Sequence, residues 1–203
     1  MSMNQAGFAP MIEGAPRRWD FLAGLMDSLK LKTFVEVGCK EGRTTGHILK
    51  TIPDARVVAI DPWCVMPDQK AVKDGETYEE WDFAKIEAEF WKNVGDNKDR
   101  CEMLRCTSEK AAEIQIALPH LDRDIDITFI DAAHDYESVK ADIRRWYPFV
   151  REGGVLAGHD FNHKWPGVQR AIAECFDLMQ IGVGPDSVWF LIKDTRLNDV
   201  RSD

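Results

Sequence analysis

Short apolar runs alternate along the chain with segments whose apolar residues recur at helical spacing. The short runs predict strands, and they are TFVEVG, VVAID, CEMLRC, DITFID and GGVLAGHD. Helical spacing covers residues 17–30, 43–52, 79–94, 108–118 and 135–147. This alternation predicts an α/β fold in which a mostly parallel sheet carries crossover helices on both faces.

The last third of the chain predicts a different ending to the sheet. A helical pattern over residues 165–176 opens with Pro166 near its first turn. The runs FDLMQIGV and SVWFLIK follow with GPD between them, which is a hairpin signal. We therefore expect a doubly wound, seven-stranded sheet in which five parallel strands are followed by a C-terminal antiparallel hairpin.

Residues 62–100 form a longer connection than a crossover needs. The first part is polar and interrupted by proline and glycine, which predicts a loop. The second part places Trp81 and Trp91, with two alanines between them, on one helical stripe. Such a stripe either packs the helix on the sheet or forms a lid or wall of a substrate pocket. We expect one domain over residues 1–203 with a loop–helix insertion at about 62–100.

Composition and charge narrow the class of protein. No apolar run among the 203 residues approaches the ~18 residues of a membrane span. The N-terminal stretch lacks the basic start and apolar run of a signal peptide, and the five cysteines form no C-x-x-C pair. We expect a cytoplasmic protein that does not act at a membrane. A net charge of −9 argues against nucleic acid as the main partner, and the oligomeric state stays open.

The loop after the first strand, GCKEGRTT, is the first candidate site, because ligands of open parallel sheets bind beyond the carboxyl ends of the strands. Its glycines, Gly38 and Gly42, fit neither the dinucleotide fingerprint nor the P-loop. Glu36 lies two residues before Gly38, where a carboxylate would repel a pyrophosphate and favour a cation. The methionine part of S-adenosylmethionine carries an ammonium and a sulfonium. Gly38 and Gly42 would let the backbone approach this ligand closely.

Asp61 ends the second predicted strand. An acid at that strand end can accept hydrogen bonds from both ribose hydroxyls of an adenosine-containing ligand. Taken alone, Asp61 could equally cap a turn or a helix. Together with Glu36, Gly38 and Gly42 it indicates a ribose contact.

These motifs carry a family resemblance. E-x-G-x-x-x-G after a first strand, with an acid ending the second, resembles class I S-adenosylmethionine-dependent methyltransferases. The stretch FIDAAHDYESVKADIRRWYPFVREGGVLAGHDF is similar to an O-methyltransferase subgroup that includes macrocin O-methyltransferase and the cephalosporin hydroxylase-like proteins. The resemblance covers roughly residues 30–193. It implies a Rossmann-like methyltransferase fold and O-methylation of a small-molecule hydroxyl on a sugar, an antibiotic-like compound or an aromatic ring.

Two positions qualify the resemblance. Many class I methyltransferases carry glycine where this chain has Lys40, whose side chain would narrow the loop. The resemblance also implies that Ser108 lies along the adenine, although Ser108 could instead be the N-cap of the helix that follows it.

A second polar group, at the ends of the fourth and fifth strands, consists of Asp131, His134, His159 and Asp160. These two aspartates could simply cap the following helices. Alternatively, Asp131 and Asp160, helped by His159 or by Asn162, bind a divalent cation such as Mg²⁺, which would lower the pKa of a substrate hydroxyl. In a version without metal, His134 or His159 takes the proton directly. Asp131 is also an expected cofactor contact.

Two other functions compete with a methyltransferase. A nucleotide-dependent oxidoreductase uses a similar sheet, but Glu36 and the missing glycine count against its pyrophosphate. A catalytically inactive cofactor-binding module would keep the fold and lose the chemistry. The polar groups at residues 131, 134, 159 and 160 argue against that second alternative.

Overall fold

The computed structural model describes residues 16–64, 72–73, 76–77, 81–117, 124–197 and 199–201. Its main sheet has seven strands, and the predicted fold class is confirmed. These strands are β1 (Thr33–Val37), β2 (Arg56–Ile60), β5 (Cys101–Leu104), β6 (Ile125–Ile130), β7 (Val150–Gly158), β8 (Gly182–Val183) and β9 (Trp189–Ile192). Two further strands, β3 (Val72–Lys73) and β4 (Glu76–Thr77), form a small antiparallel pair of their own.

The order of strands in the sheet is β5-β2-β1-β6-β7-β9-β8. The first five are parallel to one another, whereas β9 runs antiparallel to both β7 and β8. Val37 pairs with Ile60 on one side and Ile130 on the other. The carboxyl ends of β1, β2 and β6 therefore lie at one edge of the sheet, where the chain order reverses.

In the described part of the chain, six α-helices cover the sheet: α1 (Arg18–Leu29), α2 (Arg43–Thr51), α3 (Phe83–Val94), α4 (Ser108–Ala117), α5 (Tyr136–Trp146) and α6 (Pro166–Cys175). Short 3-10 helices follow at Gly95–Arg100, Tyr147–Phe149 and Leu178–Gln180. Successive strand residues face opposite sides, so β1 contributes Phe34 to one core cluster and Val35 to the other. The Phe34 cluster packs under α1 to α3, and the Val35 cluster packs under α4 to α6.

The insertion contains a helix whose predicted buried stripe is wrong. Trp81 lies before α3, because Asp82 is the N-cap and accepts a hydrogen bond from the Lys85 backbone N–H at 3.1 Å. Phe90 and Val94 are the buried residues of α3, while the alanines of the predicted stripe are exposed. Phenylalanine and valine bury more apolar area than alanine, so the helix turns that face to the core.

The predicted loop before α3 lies largely outside the described residues, which there include residues 62–64 and the paired strands β3 and β4. Within the described parts of the chain, no helix combines the length and apolar character that a bilayer crossing requires.

Candidate active site

A cavity of about 340 Å³ opens at the carboxyl ends of β1, β2, β6 and β7. Every site residue predicted from sequence lines this cavity except Gly42. The sheet brings together the loops that follow its central strands, and the insertion adds Trp81, Phe83 and Ile86 as one wall.

Both loop glycines are required by contacts within the protein. Gly38 has a φ of +87°, and a Cβ there would lie 2.5 Å from the backbone oxygen of Asp131. Gly38 therefore permits the loops after β1 and β6 to touch. Gly42 is the N-cap of α2 with a φ of +69°, and a Cβ there would lie 2.4 Å from a ring carbon of Phe90. Gly42 thus serves the packing of α2 on α3 and lies outside the cavity lining.

Glu36 is buried at the end of β1, with 2% of its surface exposed. One carboxyl oxygen accepts hydrogen bonds from the Thr45 backbone N–H at 3.0 Å and the Thr45 hydroxyl at 2.5 Å. Burial raises the pKa of Glu36 from its ordinary value of 4.5 to about 7, although Thr45 and Arg18 act in the opposite direction. A cationic ligand beside this carboxyl would favour its ionised form.

Asp61, after β2, is held in place by two backbone donors. Its oxygens accept from the N–H of Lys40 at 3.0 Å and of Trp63 at 2.8 Å. Burial raises its pKa, although these two hydrogen bonds oppose the shift. The turn-capping role and the ribose role are compatible, because each carboxylate oxygen has a second lone pair for a ligand hydroxyl.

Lys40 adopts a left-handed backbone conformation with a φ of +45°. Its ammonium lies 3.9 Å from the centre of the Trp81 ring and 3.5 Å from a carboxylate oxygen of Glu41. Its backbone oxygen accepts from the indole N–H of Trp63 at 3.0 Å. The side chain therefore packs against the wall that the insertion supplies.

Ser108 is the first residue of α4, and the hydroxyl of Thr107 accepts from the Lys110 N–H at 3.3 Å as the capping group. The expected N-cap role of Ser108 thus belongs to its neighbour. The Ser108 hydroxyl donates to Asp142 at 2.5 Å and accepts from the Trp146 indole at 2.8 Å. It still lines the cavity, with one lone pair left for a ligand.

Asp131, His134, His159 and Asp160, hereafter the Asp–His cluster, meet on one side of the cavity. His134 Nε2 lies 2.6 Å from a carboxylate oxygen of Asp160 and 3.9 Å from one of Asp131. His159 Nδ1 lies 3.4 Å from Asp131 and 3.3 Å from Asp160. Each histidine therefore lies between the same two carboxylates.

The aspartates of the cluster do not cap the helices that follow. Asp135 caps α5 by accepting from the Ser138 N–H at 3.0 Å. The N-cap of α6 is Trp165, which makes no capping bond through its side chain. The capping explanation of Asp131 and Asp160 is wrong, since other residues hold the capping positions.

Paired charges set the protonation of the cluster. Burial disfavours the ionised carboxylates, but hydrogen bonds and charges from His134 and His159 outweigh it and lower the pKa of both Asp131 and Asp160 well below the usual range. Burial likewise disfavours the imidazoliums, but the two carboxylates raise the pKa of both histidines to about 9. At neutral pH the cluster holds two negative and two positive groups.

The cluster can also hold a metal ion. Ligand atoms of Asp131, His134 and Asp160 lie within 4.8 Å of one another. This set contains His134 where the sequence predicted His159. His159 Nε2 is buried and has no hydrogen-bond partner among the described residues, and the carboxylate of Asp186 lies 4.0 Å away.

Two residues at the site carried no clear motif. Arg18, at the start of α1, lies 3.4 Å from a carboxylate oxygen of Asp131. Asp186, in the turn before β9, accepts from the Arg18 backbone N–H at 3.3 Å. One signal was present in the sequence: a cation in the first turn of a helix opposes the helix dipole and so indicates another role.

A comparison with protein families agrees with this geometry. A family model described as a methyltransferase domain matches residues 35–161, more than half of the chain. The chain belongs to this methyltransferase family. The matched residues include the end of β1 and all of β2, β5, β6 and β7, and with them both the glycine loop and the Asp–His cluster.

Individual relatives of this methyltransferase are distant. A protein of Acanthamoeba polyphaga mimivirus is 27% identical over 149 residues, and the match covers 70% of this chain and 60% of that protein. The TDP-rhamnose 3'-O-methyltransferase of calicheamicin biosynthesis has a TM-score of 0.56 and 21% identity, covering 87% of this chain and 81% of that one.

An O-methyltransferase from Bacillus cereus, solved with S-adenosylhomocysteine, has a TM-score of 0.59 and 16% identity, covering 91% and 84% of the two chains. These structures share the fold of this methyltransferase. The predicted resemblance to class I methyltransferases is thus confirmed at the level of fold and family.

Proposed function

We propose that this methyltransferase transfers the methyl group of S-adenosylmethionine to a hydroxyl oxygen of a small molecule. The observation that carries the proposal is the placement of Glu36, Asp61 and the Asp–His cluster around one cavity. The cofactor and the acceptor would then lie in one cavity. Glu36 suits a cationic group, Asp61 suits a ribose, and the Asp–His cluster provides titratable side chains.

The lining residues fit S-adenosylmethionine by their chemistry. Glu36 accepts from the ammonium of its amino-acid end, which would relieve the cost of burying this carboxylate. Asp61 accepts from the ribose hydroxyls while its backbone donors hold it still. Bound there, the cofactor supplies a methyl group activated by a sulfonium. The protein contributes most by holding acceptor oxygen, methyl carbon and sulfur in line.

We further propose that Asp131, His134 and Asp160 hold a divalent cation next to the acceptor. A cation in this position lowers the pKa of the acceptor hydroxyl. The carboxylates suit Mg²⁺, and the imidazole nitrogen of His134 extends the choice to Mn²⁺. In the version without metal, His134 or His159 takes the proton. The raised pKa of both histidines counts against either version near pH 7, because a general base and a metal ligand both need a neutral imidazole. Turnover in excess chelator distinguishes the two versions.

The acceptor is proposed to be a hydroxyl on a sugar, an antibiotic-like compound or an aromatic ring. Two tryptophans, Trp81 and Trp165, line the cavity and present flat apolar surfaces. Trp165 also stacks on His134 with ring centres 4.5 Å apart, so it adjoins the Asp–His cluster. A sugar as acceptor is supported by the shared fold of the TDP-rhamnose enzyme.

We also propose that the chain acts as one domain in the cytoplasm, with the insertion as part of the acceptor wall. All five cysteines are free, as expected for a reducing compartment.

Ligand-induced stabilisation tests the cofactor assignment. The protein is heated with S-adenosylmethionine, S-adenosylhomocysteine or a nicotinamide dinucleotide. A ligand at 100 times its Kd stabilises the fold by about 2.7 kcal/mol. The proposal expects this shift with the first two ligands. A shift with the dinucleotide alone would instead support the oxidoreductase alternative.

Turnover distinguishes an active enzyme from a binding module. The protein is incubated with S-adenosylmethionine carrying a labelled methyl group and with sugar, aromatic and antibiotic-like hydroxyl compounds. The proposal expects label on an oxygen of at least one class. Tight S-adenosylhomocysteine binding with no transfer to any class would favour the inactive module.

A further inference from the structure

Arg18 brings a permanent positive charge into the cavity from the start of α1. Its Nε lies 3.5 Å from the hydroxyl of Thr44, and a terminal nitrogen lies 3.4 Å from Asp131. Its backbone N–H bonds to Asp186. The first turn of α1 is thereby attached to α2, to the loop after β6 and to the turn before β9.

The contacts with described residues leave most of the hydrogen-bonding capacity of this guanidinium unused. Arginine binds a carboxylate best through two parallel N–H···O bonds at short distances. Arg18 approaches Asp131 at one point only and at 3.4 Å. Asp131 already has both histidines of the cluster as cationic neighbours. Asp131 therefore does not need Arg18 as a counter-charge. The position of Arg18 at the start of α1, where the helix dipole disfavours a cation, has another reason.

Arg18 lines the same cavity as the carboxyl assigned to the ligand ammonium, and its Nε contacts Thr44, whose side chain bonds to that carboxyl. Its charge acts on Glu36 and lowers the pKa of that carboxyl against the larger effect of burial. An α-amino acid carries its ammonium and its carboxylate on the same carbon atom. If Glu36 attracts the ammonium, the group that receives the carboxylate must lie beside Glu36, and Arg18 meets that condition.

The other cations of the cavity are less suited to this role. Lys40 packs over the Trp81 ring and against Glu41. Lys164 lies 5.8 Å from the centre of the Trp165 ring, toward the acceptor side. Arg43, the first residue of α2, lines the cavity with an exposed side chain. Arg43 is the other arginine in the described lining of the cavity, and an experiment must separate it from Arg18.

We propose that Arg18 binds the α-carboxylate of the cofactor's methionine moiety, and so selects ligands that carry an intact amino-acid end. This inference rests on the proposed function, because it assumes that the cavity binds S-adenosylmethionine. It gives α1 a direct part in ligand recognition, although α1 precedes the residues of the family match.

Calorimetry with two ligands tests the assignment. One ligand is S-adenosylhomocysteine, and the other is its decarboxylated analogue, which keeps the thioether and the amine. The wild type is expected to bind S-adenosylhomocysteine about 10- to 100-fold more tightly, the range of a charge-assisted hydrogen bond. Arg18→Gln is expected to bring the two affinities within about threefold, while affinity for the analogue stays nearly constant.

Arg43→Gln is the matched control, because it removes another arginine of the same cavity. It is expected to keep the preference for the carboxylate. Loss of the preference in Arg43→Gln, with retention in Arg18→Gln, would overturn the assignment. Equal weakening of both ligands by Arg18→Gln would also overturn it, since Arg18 would then act through the fold or through Asp131.

Arg18→Lys provides a second test of the assignment if Arg18→Gln does not fold. Lysine retains the charge but lacks the planar fork, so a reduced preference with unchanged affinity for the analogue supports the assignment. An unchanged preference overturns it. Failure of the wild type to bind either ligand is a different result, which contradicts the proposed function itself.

Discussion

Glu36 and the Asp–His cluster are two buried acidic regions at the same edge of one sheet, yet the pKa values of their carboxyl groups are shifted in opposite directions. Glu36 has neutral hydroxyl and backbone donors as its close partners, and burial raises its pKa to about 7. Asp131 and Asp160 are buried beside two histidines, and their pKa values are lowered despite burial. Burial alone disfavours a carboxylate, whereas burial with a paired cation stabilises it.

The difference indicates what each region requires from a ligand. Among the described residues, the hydrogen-bond donors to Glu36 are neutral, so a cationic ligand would supply a direct charged partner that these donors do not. The cluster already contains its own cations, so a metal must replace protons that the histidines hold. The experiments that follow change one region at a time, starting with the largest expected effect.

Asp160→Asn should lower turnover by about 100-fold or more, because the acceptor region loses a carboxylate that orients His134. Asparagine suits the left-handed backbone of Asp160, with its φ of +59°, so the fold should persist. The measurements are methyl transfer and S-adenosylhomocysteine binding, and the second should change little. Asp135→Asn is the control, since it alters a helix cap in the same loop and should leave turnover intact. Loss of cofactor binding along with turnover would show that the two regions are not separate.

Divalent metal should bind more tightly as pH rises from 7 to 9. The pKa of His134 is raised to about 9, so binding at this nitrogen releases a proton in that range. Affinity should therefore rise by up to about tenfold per pH unit. Titration calorimetry with Mg²⁺ and Mn²⁺ measures this, and excess chelator should abolish turnover. Full turnover in chelator would favour the histidine-base version.

Glu36→Gln should stabilise the ligand-free protein at pH 8 by on the order of 2–3 kcal/mol. The pKa of Glu36 is raised from 4.5 to about 7 in the folded state. Its contribution to stability is thus fully present below pH 4.5 and is lost as pH rises through 7. Urea unfolding of both proteins at about pH 4 and about pH 8 measures the difference, which should be near zero at the lower pH and fully developed at the higher one. Weaker S-adenosylmethionine binding should accompany it. A stabilisation equal at both pH values would contradict the raised pKa.

Lys40→Gly should change stability by less than about 1 kcal/mol, because two effects oppose each other. Glycine relieves the left-handed backbone, but it adds freedom to the unfolded chain and loses the contact with Trp81. Lys40→Ala is the matched variant, since it loses the contact and keeps the backbone strain. Urea unfolding should find the alanine variant less stable than the glycine variant. The reverse order would show that the left-handed conformation at position 40 costs less than the added freedom of glycine in the unfolded chain.

The fold followed from local patterns in the sequence. Apolar runs of strand length, separated by helical periodicity, predicted the parallel order and the closing hairpin. The stripe of α3 was predicted wrongly, because Trp81 lies before the helix and the larger apolar residues Phe90 and Val94 face the core. Periodicity gives several possible faces, and only packing against α2 and the sheet selects one.

The positions of the polar site residues also followed from sequence, because acids and histidines at strand ends of a parallel sheet must meet at one edge. Their partners did not. Thr45 binds Glu36, Phe90 requires glycine at position 42, and Arg18 at the start of α1 reaches Asp131 after β6. Sequence therefore determined which groups enter the site. The tertiary structure alone decided which of them are neutralised, which bear strain and which still have donors for a ligand, because distances between segments far apart in the chain set those properties.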